Sequence, residues 1–549
     1  MTLKNSSMKV GNILTTLYII LGQLYVFIMY IGFYIGGKSW GHPLSLDIFK
    51  VYTNEISSLL DSLPIPLYLI FFISCFSILV LFLILIAISP KLIASIRDSI
   101  FKWYTKRNLL KSFILITILP FLFFKIDWPR KYIYYGDPLL SFFLYEFRPQ
   151  GELVNKDDKE ILKEIEDYPD NLNFNKKNVI LIICDALRPD HISNFGYDRK
   201  TTPFLDSILQ LKETSNVDYF FSNASRSFIG ISNILSSRYS LSINNFFIHD
   251  VLKKQGYQIN FILGGDFTHF YGLKRSFGKN IDIYHDGFTA NQNVKTSSMN
   301  DDKKVVINYL DTLKSFSGSP TFFYLHMMTA HELSTLDPIF RIYEPMKSTS
   351  FSFKVDQQIL KNSYDNRITQ LDNYLKHIVY NFKNKGYLDN SILIVTADHG
   401  QGLGEYGYKG HTNSTYLDEI STPLIIYENG VSRVDKSYLV KYGNHLDIAP
   451  TITDLLGIPT PKNWRGSSIF SPRKNKFIFQ QENEFYSCIW PLEHKLYQYV
   501  YNSKKKTEEV FDIYLTKLHP SKNIISQINE KDLKNIRIEL ENFFSIKLN

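Results

Sequence analysis

Two apolar runs end in residues that bind metals. Val179 to Cys184 is followed at once by Asp185, and Ile392 to Gly400, reading ILIVTADHG, carries Asp398 and His399. Two carboxylates and one imidazole, brought together, suit Zn²⁺ or Mn²⁺ better than an all-oxygen Ca²⁺ or Mg²⁺ site. Three more histidines fall at or beyond the ends of apolar runs: His326 and His331 after TFFYL (Thr321 to Leu325), and His411 after Gly410. A hydroxyl is at hand in Ser222 to Tyr239, SNASRSFIGISNILSSRY, whose second half reads as a helix entered at Arg226 or Ser227. A serine there meets unsatisfied backbone N–H groups and the positive end of the helix dipole, which favour a bound phosphate. The same serine also reads as an ordinary helix cap.

These side chains need strands to hold them. A continuous β-branched run fits a strand buried on both faces of a parallel sheet, and such sheets bind ligands at the carboxyl ends of their strands. By itself Asp185 would read as the cap of the next helix; the matching acid and histidines downstream make it a candidate metal ligand. Ile259 to Leu263, Thr321 to Leu325, Ile392 to Thr396 and Pro423 to Tyr427 alternate with helical or irregular stretches. The fold class is therefore α/β, with a central, mostly parallel sheet flanked by helices.

At 549 residues the chain exceeds one small core. Its formal charge of +8 is scattered, with no Arg-rich patch, so it points to solvated surface and membrane flanks rather than to nucleic acid. Three cysteines do not make a disulfide framework. Residues 13–35 and 67–88 are long enough to span a bilayer, and 109–124, shorter and containing Pro120, reads as a third span or as an interfacial helix. Lys91, Arg97, Lys102, Lys106, Arg107 and Lys111, against Asp98 alone, put the loop between the second and third spans in the cytoplasm. The expected organisation is a transmembrane module over 1–127, an interfacial segment and linker over 128–175, and a catalytic domain over 176–549. The expected location is the inner (cell) membrane, multi-pass, with the catalytic domain on the extracytoplasmic side.

From Lys176 onward the sequence resembles the alkaline phosphatase–sulfatase superfamily, and within it the membrane-anchored phosphoethanolamine transferases. The resemblance rests on Asp185-Ala-Leu-Arg-Pro-Asp-His191, Gly196-Tyr-Asp-Arg-Lys-Thr-Thr-Pro203, His326-Met-Met-Thr-Ala-His331, Tyr364-Asp365-Asn366, Asp398-His399-Gly400 with His411, and the run Asp447 to Ile458. It implies an N-terminal membrane anchor, a sulfatase-like domain and a divalent metal, Zn²⁺ first and Mn²⁺ second. The family nucleophile stands nine residues before a Thr or Ser in the following helix, a spacing that Ser227 and Ser236 satisfy. The implied metal set is Asp185, Asp398, His399 and the hydroxyl of Ser227. His411, His331 and His326 are then the candidates for binding phosphate oxygens and protonating the leaving group, with Arg226 and Arg188 as further positive charge, Arg188 reading equally as a structural pair with an acid.

The implied reaction moves the phosphoryl headgroup of a phospholipid donor, phosphoethanolamine or phosphoglycerol, to an envelope glycan or lipid acceptor such as lipopolysaccharide, through a phosphoserine. Ser222-Asn-Ala-Ser-Arg226 resembles the serine form of the sulfatase signature, so a sulfatase or phosphoester hydrolase is the first alternative. A catalytically silent membrane-binding or regulatory protein is the second.

Overall fold

The structure, a computed structural model, describes residues 156–239, 245–268, 273–291, 300–332, 334–346, 356–432, 434–516 and 522–548. The three expected spans and the expected interfacial segment up to residue 155 lie outside the described residues. Among the described residues, no helix is long and apolar enough to cross a membrane.

A seven-stranded sheet organises this part of the chain. Its strands are β1 (Asn178–Cys184), β2 (Thr214–Asn216), β3 (Gln258–Leu263), β4 (Ile283–Asp286), β5 (Thr321–Met327), β6 (Ser391–Thr396) and β7 (Leu424–Asn429). They lie in the order β2-β7-β6-β1-β5-β3-β4. β1 runs parallel to β5 and β6, and β3 runs parallel to β5 and β4. β7 runs antiparallel to both β6 and β2, so the sheet is mixed with one reversed strand. The continuous apolar runs follow from burial on both faces. Val179, Leu181 and Ile183 enter one core cluster, while Ile180, Ile182 and Cys184 enter the other.

Helices cover the two faces. On the first face lie Ile231, Ile234 and Leu235 of one helix and Ile448, Ala449 and Ile452 of another. On the second lie Ile368, Leu371, Leu375 and Ile378 of the 28-residue helix Gln357–Asn384. We label the helices used below α1 (Lys156–Asp167), α2 (Ser227–Ser236), α3 (Gln357–Asn384), α4 (Ile448–Leu456) and α5 (Glu530–Phe544). The stretch before β1, expected as a linker, contains α1. Ile161 of that helix is fully buried, and the Glu164 carboxylate accepts from the backbone N–H groups of Lys462 and Asn463. A four-stranded antiparallel sheet follows the main one, from Ile478–Glu482 to Thr507–Asp512, and α5 packs on it through Leu533, Ile536 and Leu540.

A candidate metal and nucleophile site

Parallel register brings the site together. Ile183 of β1 lies level with His326 of β5 and Thr396 of β6, so residues leaving these three neighbouring strands emerge side by side. Sequence reasoning ended β5 before His326. The strand runs on through Met327, and His326 is its sixth residue, fully buried. A polar side chain does not end a strand whose backbone remains paired, and Leu263 of β3 pairs with His326 in the ladder.

Asp185, Asp398 and His399 converge so that one donor atom from each lies within 4.8 Å of the others. His399 Nε2 is 3.8 Å from Asp185 Oδ1 and 3.6 Å from Asp398 Oδ2. His399 Nδ1 donates to the Gly400 carbonyl at 2.8 Å, leaving the Nε2 lone pair facing the carboxylates. Asp398 Oδ1 accepts from the backbone N–H groups of Ala186 and His399. Asp185 Oδ1 and Asp398 Oδ2 are buried and have no hydrogen-bond partner among the described residues. Two buried anionic oxygens without donors are costly, and a divalent cation between them removes that cost. The residues present therefore fit a divalent metal.

Electrostatics point the same way. Burial pushes the Asp398 carboxyl up, and the nearby Asp185 charge pushes it further. Burial acts upward on Asp185 too, but His331, His326 and His399 outweigh it and hold that carboxyl well below the usual range. Burial would lower His399, yet Asp398 and Asp185 raise it overall. For His411, burial and the neighbouring His399 and His331 push the imidazole far down, so it is neutral.

Ser227 begins α2 and reaches this cluster. Its Oγ is 3.1 Å from His399 Nε2 and 3.5 Å from Asp185 Oδ2. Arg226 before it is extended (φ −129°, ψ 131°), so the chain turns into the helix at Ser227, where N–H groups of the first turn lie outside the intrahelical ladder. The helix comes this close because residue 230 is glycine. A Cβ there would lie 2.2 Å from the Asp398 carbonyl oxygen.

The histidines line one side. His326 Nε2 is 3.5 Å from Asp185 Oδ2, and its Nδ1 is 3.1 Å from the Tyr324 hydroxyl. The His411 ring lies 4.3 Å from the His399 ring and 5.1 Å from the His331 ring, centroid to centroid. His411 Nδ1 is 3.0 Å from Gln401 Oε1 and donates to it, which leaves the lone pair on Nε2.

Both arginines are committed to acids, as the structural-pair reading of Arg188 has it and against the expectation of free positive charge at Arg226. Arg188 bonds Asp190 through Nε and Nη2, and Glu405 through Nη1. Arg226 Nε bonds Glu482 at 2.5 Å. Ser222 is fully buried, and its hydroxyl donates to the Ala224 carbonyl at 2.7 Å.

Some supporting residues escaped sequence reasoning. Ala186, just after Asp185, has φ +61°, a left-handed conformation that a non-glycine residue adopts only when its surroundings hold it there. The Tyr364 hydroxyl holds that turn, donating to the Ala186 carbonyl at 2.6 Å and accepting from the Arg188 N–H at 2.9 Å. Next to it, Asp365 accepts from His191, Tyr197 and Arg199. The Tyr364-Asp365-Asn366 run was visible as a motif, but nothing in its spacing tied it to the turn after β1.

Comparison with known proteins gives this geometry its family. The sulfatase family model matches residues 177–458, just over half of the chain. The chain belongs to the sulfatase family. This sulfatase-family chain is 25% identical over 348 residues to lipoteichoic acid synthase 2 of Bacillus subtilis, covering 58% of the chain and 52% of that protein. It thus spans about half the length of the curated relatives it matches. A Bacteroides thetaiotaomicron structure from a glycosaminoglycan-metabolism locus shares the fold at a TM-score of 0.52 and 15% identity, over 68% of this chain and 96% of that one. The periplasmic domain of EptC from Escherichia coli, in complex with zinc, is similar at a TM-score of 0.48 and 16% identity, over 58% of this chain and 92% of that one.

Proposed function

We propose that this protein transfers the phosphoryl headgroup of a phospholipid to a glycan or lipid hydroxyl of the cell envelope, through a phosphoserine at Ser227. The observation that carries this reading is the contact of Ser227 Oγ with His399 Nε2 (3.1 Å) beside two unpartnered carboxylate oxygens, at the start of a helix. The relationship to lipoteichoic acid synthases supports headgroup transfer in general. Asp185, Asp398 and His399 would hold the divalent ion, Zn²⁺ or Mn²⁺, with the Ser227 hydroxyl as fourth donor. When bound, the ion supplies Lewis-acid activation of that hydroxyl and neutralises charge on phosphoryl oxygens.

The chain's own residues then divide the work. Ser227 Oγ gives up its proton to solvent and forms a bond to phosphorus, while the bond from phosphorus to the diacylglycerol oxygen breaks. That oxygen takes a proton from His331 or His326. In the second step the acceptor hydroxyl attacks the phosphoserine, passes its proton to the neutral His411 Nε2, and Ser227 Oγ is released and reprotonated. The N–H groups at the start of α2 favour the anionic group throughout.

Headgroup-labelled phosphatidylethanolamine and phosphatidylglycerol, offered separately to the purified protein, test the reading and name the transferred group. Label should pass to an acceptor from one of them with wild-type protein and with Ser222→Ala, and from neither with Ser227→Ala. Transfer by Ser227→Ala at the wild-type rate would refute it.

A further inference from the structure

The four-stranded sheet lies beyond residue 458, where the sulfatase match ends, yet its first turn reaches the segment that carries the nucleophile. Strands Ile478–Glu482 and Phe485–Leu492 pair antiparallel, and Asn483 and Glu484 connect them. The first of these strands runs beside the chain leading into α2. The Gln481 N–H donates to the Asn223 carbonyl at 3.3 Å, and Asn223 Nδ2 donates to the Phe479 carbonyl at 3.0 Å. At the turn, two side chains continue the contact. Buried Glu482 accepts from Arg226 Nε at 2.5 Å through Oε1, and from the Ser225 hydroxyl at 3.2 Å through Oε2. Asn483 Oδ1 accepts from Arg226 Nη2 at 2.5 Å, and its Nδ2 donates to the Thr412 carbonyl at 2.7 Å.

These partners adjoin the residues of the reaction. Arg226 immediately precedes Ser227, and Thr412 immediately follows His411. Thr412 has φ +66°, a left-handed conformation that its surroundings must hold. Two bonds do so: its N–H donates to the Ser225 carbonyl at 3.1 Å, and its carbonyl accepts from Asn483. An amide suits the bridging position and a carboxylate does not. Its oxygen meets a guanidinium, which only donates, and its nitrogen meets a carbonyl, which only accepts. Asn483 itself has φ +50°, a conformation that asparagine, aspartate and glycine adopt more readily than other residues. It is exposed, so little of the fold's stability rests on it.

We propose that Asn483, backed by Glu482, is a positioning residue for the transfer: by bridging Arg226 and Thr412 it fixes Ser227 and His411 relative to each other. This role rests on Ser227 being the nucleophile and His411 the base of the second step. In that step the acceptor hydroxyl must reach phosphorus on Ser227 and His411 Nε2 together. A misplacement of about 1 Å between such groups can cost on the order of 10²-fold in rate. Asn483 acts through its two partners and not on the substrate, so its loss lowers kcat and spares donor binding.

Two variants separate the two bonds. Asn483→Gly keeps the turn and removes both. Asn483→Asp keeps the turn and the bond to Arg226, but sets an anionic oxygen against the Thr412 carbonyl. The full chain in detergent is given headgroup-labelled phosphatidylethanolamine or phosphatidylglycerol, whichever the wild type uses. In Asn483→Gly, kcat should fall about tenfold while donor KM stays within about twofold. Asn483→Asp should label Ser227 but pass the label on about tenfold more slowly, so the phosphoserine accumulates. Both variants should keep the wild-type urea midpoint. Hydrogen–deuterium exchange on the same proteins needs no turnover, so it still tests the bridge if the wild type moves no label and the transferase reading fails. Residues 225–229 and 411–414 should exchange faster in Asn483→Gly, only 411–414 in Asn483→Asp, and β1 in neither. Wild-type kcat in Asn483→Gly, a loss confined to KM, a lowered urea midpoint, or unchanged exchange over 411–414 would each overturn the proposal.

Discussion

Ser227 and His399 are the residues whose removal separates the parts of the chemistry. Ser227→Ala leaves Asp185, Asp398 and His399 in place, so metal content should stay near the wild-type value while turnover falls by roughly 10³-fold or more. Ser227→Thr keeps the hydroxyl and should retain measurable activity, checked in the same assay. His399→Ala removes the only nitrogen donor of the cluster. Metal content of the purified protein and rate should fall together, by about 10²-fold in affinity, as read by metal analysis after dialysis. Full metal content in that variant would mean the ion sits elsewhere. The candidate ligand residues were legible because each ends an apolar run, and residue type at a strand end is a local signal. The turn at Ala186 and its support by Tyr364 were not. A left-handed alanine and a hydroxyl 178 positions away are settled by tertiary packing, which no local pattern reports.

Among the elements, α2 matters most to the site, and Gly230 sets its distance from the end of β6. A methyl group there would lie 2.2 Å from backbone, which cannot rotate away as a side chain would. Gly230→Ala should therefore cost about 1–3 kcal/mol in urea unfolding, as overpacking does. It should also lower turnover, because Ser227 shifts with its helix. An unchanged unfolding midpoint would show that the helix has more room than the structure gives it. The main strands could be read from sequence because burial on both faces erases polar alternation and leaves continuous apolar runs. The reversal of β7 could not, since an apolar run carries no mark of its direction. Helix α1 was hidden for a different reason: KDDKEILKEIED is mostly charged, and it is held by a few contacts such as buried Ile161.

For the whole molecule, charge asymmetry carries the topology. Lys91 to Lys111 should face the cytoplasm, with the sulfatase-family unit on the other side. A reporter active only outside the cytoplasm, fused after Arg148, should be active; an inactive but well-expressed fusion would contradict three crossings. The central claim is more local than this, and it concerns a bond. After incubation with unlabelled donor phospholipid and quenching, peptide mass analysis should find the headgroup phosphate on Ser227, and no such mass in the Ser227→Ala protein. Formylglycine at position 222, together with an active Ser227→Ala protein, would contradict it, replacing phosphoryl transfer with sulfate ester hydrolysis and leaving Ser227 as the first residue of a helix.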